Sequence, residues 1–380
     1  MKKKKLTTWE AACIITGYGI GGGVMALPYL AVKNGVLLSL AILLAAFAAS
    51  YVLHVMIAET VIKTGGQVQI IEIFGHYLFP GKAKKALTTV FFVIMALVLF
   101  TNLATYISGA GEILAQLLGI PLLWGEILFY IVAASVVFFG LKAVGVSEKV
   151  AVTIIFGVIG VLAVCSLFKL NHSLPFRVGT LNQALAYFGL VMFAFGAFFS
   201  VPQAVEGLDG DVKKVKRAVA LGLGNNLLLI LVITFCALSA SDTVTELAMI
   251  GWSRGIGTWA EILGDIFTVL AMLTTYWSLS LALGDIVNDQ LKCDHRLCWL
   301  IGTLPSLLIT LIGLGGFMEY MRLAGGLIAI IIALLVVPAY RKSRKEPGEA
   351  ILGAWGGTVM QLVILIAYLL MAAGNVVPYE

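Results

Sequence analysis

Apolar runs of about 20 residues, the length of helix that crosses a ~30 Å hydrocarbon layer, follow one another along almost the whole chain. Eleven spans are predicted, at 9–31, 35–62, 85–118, 122–140, 148–168, 181–205, 215–240, 260–289, 297–314, 317–339 and 350–373. Nine read as uninterrupted helix. The first contains "GYGIGGGVMALP" (17–28), which sets Gly17, Gly19, Gly21, Gly22, Gly23 and Pro28 inside a membrane segment. The sixth contains "FGAFFSVPQ" (195–203), with Gly196 and Pro202.

Glycine and proline are the poorest helix formers. Backbone groups left unpaired in hydrocarbon cost several kcal/mol each, so an unwound stretch survives only where protein or a water-filled cavity satisfies it. The two interrupted spans lie about half a chain apart. Spans one to five and six to ten then make two five-helix halves, and an odd number of helices per half makes them inverted copies. The expected division is 1–170 for the first repeat, 171–340 for the second, and 341–380 for the eleventh helix and C-terminus. A Gly/Pro-interrupted span at corresponding places in both halves points to the binding site of a secondary transporter. Close helix packing through small residues accounts for one such run more readily than for two, each beside a proline.

Helix-end electrostatics suggests what such a site holds. A broken helix offers N–H groups with partial positive charge at the start of its second half and freed carbonyls at the end of its first. N–H groups near Ile20–Gly23 suit a carboxylate, and carbonyls near Thr16–Gly19 suit a cation. Carbonyls around Phe195–Ala197 suit an α-ammonium group. A zwitterionic amino acid fits both ends.

Charge sets the expected orientation. With the N-terminus in the cytoplasm, twenty Lys/Arg fall on cytoplasmic segments and four, Lys33, Lys169, Arg177 and Arg254, on the other side. The bias holds loop by loop. It places the protein in the cytoplasmic membrane as a multi-pass chain with an extracytoplasmic C-terminus, and it explains the net charge of +5 without nucleic acid. "MKKKKL" precedes a long run that holds Pro28 and lacks a small-x-small cleavage site, so it reads as a span start, not a signal peptide. A composition 61% hydrophobic and 12% charged excludes a soluble globular protein. The five cysteines suggest no disulfide framework, and "CDHRLC" (293–298) lacks the second ligand pair of a metal site.

Four stretches carry a resemblance: "ITGYGIGGGVMALPYL" (15–30), "ATYISGAGEILA" (104–115), "FGAFFSVPQAVEGLDGDVKKVKRA" (195–218) and "AAGNVVPYE" (372–380). They are similar to the hydroxy/aromatic amino acid permeases, tyrosine and tryptophan permeases in particular, of the amino acid/auxin permease group in the LeuT-fold (APC) superfamily. The resemblance spans the chain. It implies an all-α polytopic fold, a LeuT-type 5+5 inverted repeat with discontinuous first and sixth helices plus an eleventh. It also implies symport of an amino acid, aromatic or otherwise neutral, with H+ or Na+ and without a cofactor. The expected partners are a small-molecule amino acid and the lipid bilayer, with no nucleic acid, and the chain is expected to act as a monomer.

Carried over by position, the implied substrate site is Thr16, Gly17, Gly19, Gly21, Gly22 and Gly23 of the first span and Asn102 and Tyr106 of the third. Phe195, Gly196, Ala197, Phe198, Phe199 and Ser200 of the sixth face them. A sodium site would use carbonyls of Gly17 and Ile20 with hydroxyls of Thr274, Thr275 and Ser278; Thr274 and Ser278 share a helical face. Related permeases replace that sodium by a lysine in the fifth span. Here "TIIFGVIGVLAV" (153–164) has none, and Lys149 lies near the span's end.

Ionisable residues within spans are functional hypotheses. Glu112, Glu319 and Arg322 are candidate gates. Glu59 reads as an ion pair with Lys63, His54 as a hydrogen-bonded core histidine, and Asp285 and Asp289 as solvated helix-end charges. An intramembrane enzyme would need convergent catalytic groups, yet there is no HExxH motif and His54, His76, His172 and His295 are scattered. The remaining alternatives are a sodium-coupled transporter of small neutral amino acids and a membrane amino acid sensor.

Overall fold

In the computed structural model, which describes residues 5–79, 81–169, 174–241, 243–245, 248–313 and 325–378, the described residues are helical with no strand. Helices α1 (Thr8–Ile20) and α2 (Gly22–Asn34) share the first span and meet at a bend of 54°. Then come α3 (Val36–Lys63), a short α4 (Ile70–Tyr77), α5 (Lys84–Leu118), α6 (Leu122–Phe138) and α7 (Leu141–Ser166). The second half repeats this plan. α8 (Leu181–Ala194) and α9 (Ser200–Gly207) share the sixth span, followed by α10 (Val212–Ala240), a short α11 (Ala248–Ile256), α12 (Thr258–Leu291), α13 (His295–Ile312) and α14 (Gly325–Ser343). The extra helix is α15 (Thr358–Val376), and α14 contains a π-helical turn at Ile332–Val336.

The two broken spans begin alike. Thr7 accepts the N–H of Glu10 through its hydroxyl while Glu10 accepts the N–H of Thr7, a capping box that starts α1. Thr180 and Gln183 form the same box at the start of α8. Each break follows about a dozen residues later. Eight described helices, α3, α5, α7, α10 and α12 to α15, are individually long and apolar enough to cross a bilayer, and α1 with α2 makes a ninth span. This is the LeuT-type architecture: two inverted five-helix sets with discontinuous first and sixth helices, plus an eleventh.

Several boundaries differ from the sequence reading. Helix α7 starts at Leu141, not 148, because Gly140 at φ +79° turns the chain and the mixed stretch after it, "LKAVGVSEK", is already helical. The short helices α4 and α11, one in each half, were not foreseen. The expected start of the tenth span lies outside the described residues. Cys293 and Cys298, read as unbridged, form a disulfide.

Helix α1 is buried from Glu10 to Ile20 and packs against α7, α10 and α12. Helix α8 packs against α2, α3 and α15. Outward faces are apolar: Leu37 and Leu44 on α3, Leu97 on α5, Ile131 on α6 and Val164 on α7 are exposed, as lipid-facing positions require. Glu59 and Lys63 form a buried ion pair on α3, with Glu59 Oε1 3.3 Å from Lys63 Nζ and both side chains nearly inaccessible.

Candidate functional site

The first break centres on Gly21, at φ −44° and ψ −163°. Close approach demands glycine here: an added Cβ would lie 2.7 Å from Thr275 Oγ1 and 3.1 Å from Tyr106 Oη. The first N–H groups of α2 have no partner within their own helix.

The second break runs through residues 195–199. Tight turns hold it: Gly196 N–H donates to Phe193 O at 2.8 Å, and Ser200 N–H donates to Ala197 O at 3.2 Å. A side chain from α3 completes it. Ala197 N–H donates to His54 Nε2 at 3.0 Å, and His54 Nδ1 lies 2.6 Å from Ser50 O. A carbonyl accepts only, so Nδ1 carries the proton and Nε2 is the acceptor. The imidazole also stacks on Phe198, with ring centroids 5.1 Å apart.

Between the breaks lies a cavity of about 10 Å³, room for roughly one water. Of the expected residues, Gly19, Gly21, Gly23, Asn102, Tyr106, Gly196 and Phe198 line it. Tyr18, Phe193, Ala194 and Ile328 line it too, and the sequence did not single them out. Asn102 Oδ1 is buried there without a hydrogen-bond partner among the described residues.

Other expected residues lie elsewhere. Thr16 turns its hydroxyl toward Ala12 O and α10, where it accepts from Asn225 Nδ2 at 3.1 Å, because its face of α1 points away from the cavity. Phe195 packs edge-on against Phe47 of α3, and Phe199 lies against Tyr18. Ser200 donates to Ala197 O at 2.7 Å and so closes the break itself. Gly17 is buried inside α1, a turn before the first break, Ala197 is buried within the second, and Gly22 opens α2. Glu112 is exposed on α5, away from the cavity. Glu319 and Arg322 lie outside the described residues.

A second polar cluster joins α1 to α12. The hydroxyls of Thr274 and Thr275 lie 3.2 Å and 3.0 Å from Gly17 O, and Ser278 Oγ lies 3.3 Å from Ile14 O. Gly17 and Ile20 were the expected carbonyls. Of the two, Gly17 O meets the α12 hydroxyls and no such contact reaches Ile20 O among the described residues. The contacts run from Tyr18 O, 3.4 Å from Thr275 Oγ1, down to Ile14 O, because α1 stays helical through Ile20. Gln203 of α9 ties in by donating Nε2–H to Ser278 O at 3.1 Å.

Sequence reasoning missed one residue of this cluster. Glu148 of α7 is fully buried, and Ser278 Oγ lies 2.7 Å from its Oε1. Its Oε2 has no hydrogen-bond partner among the described residues, and an added Cβ on Gly17 would collide with it. Starting the fifth span at 148 put Glu148 at a solvated end. The turn at Gly140 was the signal that would have moved it inside.

The profile of the tryptophan/tyrosine permease family matches residues 3–374. The chain is 23% identical to tyrosine-specific transport system 1 of Haemophilus influenzae over 401 aligned positions, covering 96% of each chain. It is 24% identical to the tryptophan-specific transport protein of Pseudomonas aeruginosa over 308 positions, covering 72% of each. Its fold is similar to that of MhsT, solved in complex with L-phenylalanine, at a TM-score of 0.71, 15% identity and coverage of 99% and 100%. It is also similar to Mhp1, a nucleobase-cation-symport-1 family transporter, at 0.68, 11% identity and coverage of 98% and 91%. With a multi-pass helical fold broken at two facing points and a family profile that spans nearly its whole length, the chain belongs to the tryptophan/tyrosine permease family: it is an amino acid permease and not an enzyme.

Proposed function

We propose that this permease imports an aromatic amino acid together with a cation, by alternating access between its two broken spans. The observation that carries the reading is that Asn102, whose Oδ1 has no hydrogen-bond partner among the described residues, lines an aromatic-rich cavity between the breaks. In this reading the first N–H groups of α2 hold the substrate carboxylate. Asn102 Oδ1 and carbonyls of residues 195–199 accept from its α-ammonium group. Tyr18, Phe193, Phe198 and Ile328 surround the side chain. The tyrosine- and tryptophan-specific names of two relatives favour an aromatic substrate.

The cavity is too small for an amino acid, so entry needs α1–α2 or α8–α9 to shift and the small volume is the closed state. The coupling cation, H+ or Na+, acts where α12 hydroxyls meet α1 carbonyls. We further propose repeats at 1–170 and 171–340, a cytoplasmic N-terminus and an extracytoplasmic C-terminus, on the Lys/Arg bias.

The test is uptake of labelled tryptophan, tyrosine, leucine and serine into proteoliposomes, each with and without sodium at fixed pH. Concentrative uptake led by tryptophan or tyrosine is expected. A preference for serine would favour a small neutral substrate, and binding without uptake would favour a sensor.

A further inference from the structure

The eleventh helix stands outside the two five-helix sets, yet it is built into the wall of the site. Ile364, Tyr368, Met371, Gly374 and Asn375 recur every third or fourth residue and form one buried face of α15. Leu362, Val363, Ile366 and Leu370 on the opposite face are exposed. The buried face lies along α8, and small residues bring the two backbones together. A Cβ added to Gly189 of α8 would lie 3.0 Å from the carbonyl carbon of Gly374, and one added to Gly374 would collide with Leu185 O. Helix α15 is therefore held against the half-helix that ends at the second break.

Two aromatic walls of the cavity rest on this face. Phe198 has His54 of α3 stacked against its ring and Tyr368 of α15 edge-on to it, with centroids 5.8 Å apart and planes at 68°. Tyr368 is fully buried and does not itself line the cavity. Phe193 packs against the start of α14, with Asn375 close behind. A Cβ on Gly325 would lie 3.0 Å from Phe193 Cδ2 and 3.4 Å from Asn375 Oδ1.

We infer that α15 sets the size of side chain the permease accepts, with Tyr368 as the positioning residue that fixes Phe198. The inference rests on the aromatic-substrate reading above and concerns the same pocket. Residues 195–199 are not helical, so no helical turn of their own fixes the direction of the Phe198 ring. Its neighbours do that instead, His54 from α3 and Tyr368 from α15. In a close-packed interior a ring so flanked cannot swing without displacing one of them. The pocket wall is thus set by a helix that the inverted repeat does not include. Truncating Tyr368 leaves space behind Phe198, and the ring can retreat into it when a bulkier ligand presses from the cavity.

The experiment uses the full chain in proteoliposomes. It reads how tryptophan, phenylalanine and a set of ring-methylated tryptophans compete with labelled tryptophan for uptake. Each inhibition constant is divided by that of tryptophan, so a loss common to all ligands cancels and a merely structural defect does not register. In Tyr368→Leu at least one ring-methylated tryptophan should gain about ten-fold on tryptophan, the discrimination that one methyl-sized change of room commands. Tyr368→Phe keeps the ring and should keep the wild-type ratios. Gly374→Ala, which must push α15 off α8, should shift them in the same direction as Tyr368→Leu. Wild-type ratios in Tyr368→Leu overturn the inference, and so does an equal shift in Tyr368→Phe. Should Tyr368→Leu fail to assemble, wild-type ratios in Gly374→Ala overturn it instead. No uptake of tryptophan by wild type overturns the aromatic-substrate reading and this inference with it. Normal tryptophan uptake with unshifted ratios overturns this inference alone.

Discussion

His54 and Ala197 lock the second break to a neighbouring helix: the imidazole Nε2 on α3 accepts the Ala197 N–H at 3.0 Å, deep in the protein. An unwound peptide group inside a membrane needs such a partner. His54→Phe keeps a ring against Phe198 but removes the acceptor, leaving the buried Ala197 N–H with only its tight-turn contact to Phe195 O at 2.9 Å, a loss of about 0.5–1.5 kcal/mol. Thermal stability should fall and tryptophan should bind more weakly. A melting curve recorded with and without tryptophan checks both, and unchanged values would mean that the break stands without His54.

Gly21 is fixed by what surrounds it. Gly21→Leu should abolish uptake while membrane insertion and monodispersity persist, and Gly196→Leu should do the same at the other break. Gly21→Ala is the finer probe, because its Cβ would fall 2.7 Å from Thr275 Oγ1. Residues in contact are energetically coupled, so Thr275→Ala should recover part of the loss. Initial uptake rates for the two single variants and the double variant measure that coupling. Additive losses would put Gly21 out of contact with Thr275.

Thr274→Ala removes a hydroxyl 3.2 Å from Gly17 O, while Thr275 still covers that carbonyl at 3.0 Å. The α1 backbone should therefore stay in place. Dependence on the coupling ion should weaken more than substrate affinity does. Uptake titrated against ion and against tryptophan separates the two effects, and an unchanged ion response would remove Thr274 from the cation site.

Asn102 supplies the unpartnered acceptor of the cavity. Asn102→Leu keeps the bulk and loses the acceptor for a charged donor, a contact worth about 1.5–3 kcal/mol, or roughly ten-fold or more in affinity. Indole-3-propionate, which lacks the α-amino group, should compete poorly against wild type. It should lose less in the variant. Competition binding reads the difference, and an identical drop for both ligands would place the ammonium elsewhere.

Much of this was legible in the sequence for a physical reason. Glycines 17 to 23 and the Gly196–Pro202 stretch are poor helix formers in segments where helix is nearly obligatory, so both breaks stood out. Side-chain facing within them did not. Residues 195–199 have no helical period, and nothing in the sequence says that Phe198 turns to the cavity while Phe195 turns to Phe47. Tyr18 and Phe193 were overlooked as ordinary members of apolar helices. Glu148 was hidden by company: flanked by Ser147 and Lys149, it read as a polar helix end until the turn at Gly140 put it two turns inside. The capping boxes at Thr7 and Thr180 open equivalent half-helices, a correspondence that comes from the structure.

The most direct test is an experimental structure of the full chain with L-tryptophan bound. The carboxylate should rest on the first turn of α2, the ammonium group within hydrogen-bond reach of Asn102 Oδ1, and the indole among Tyr18, Phe193 and Phe198. A ligand seated away from both interruptions, or first and sixth spans running as unbroken helices past it, would contradict the site.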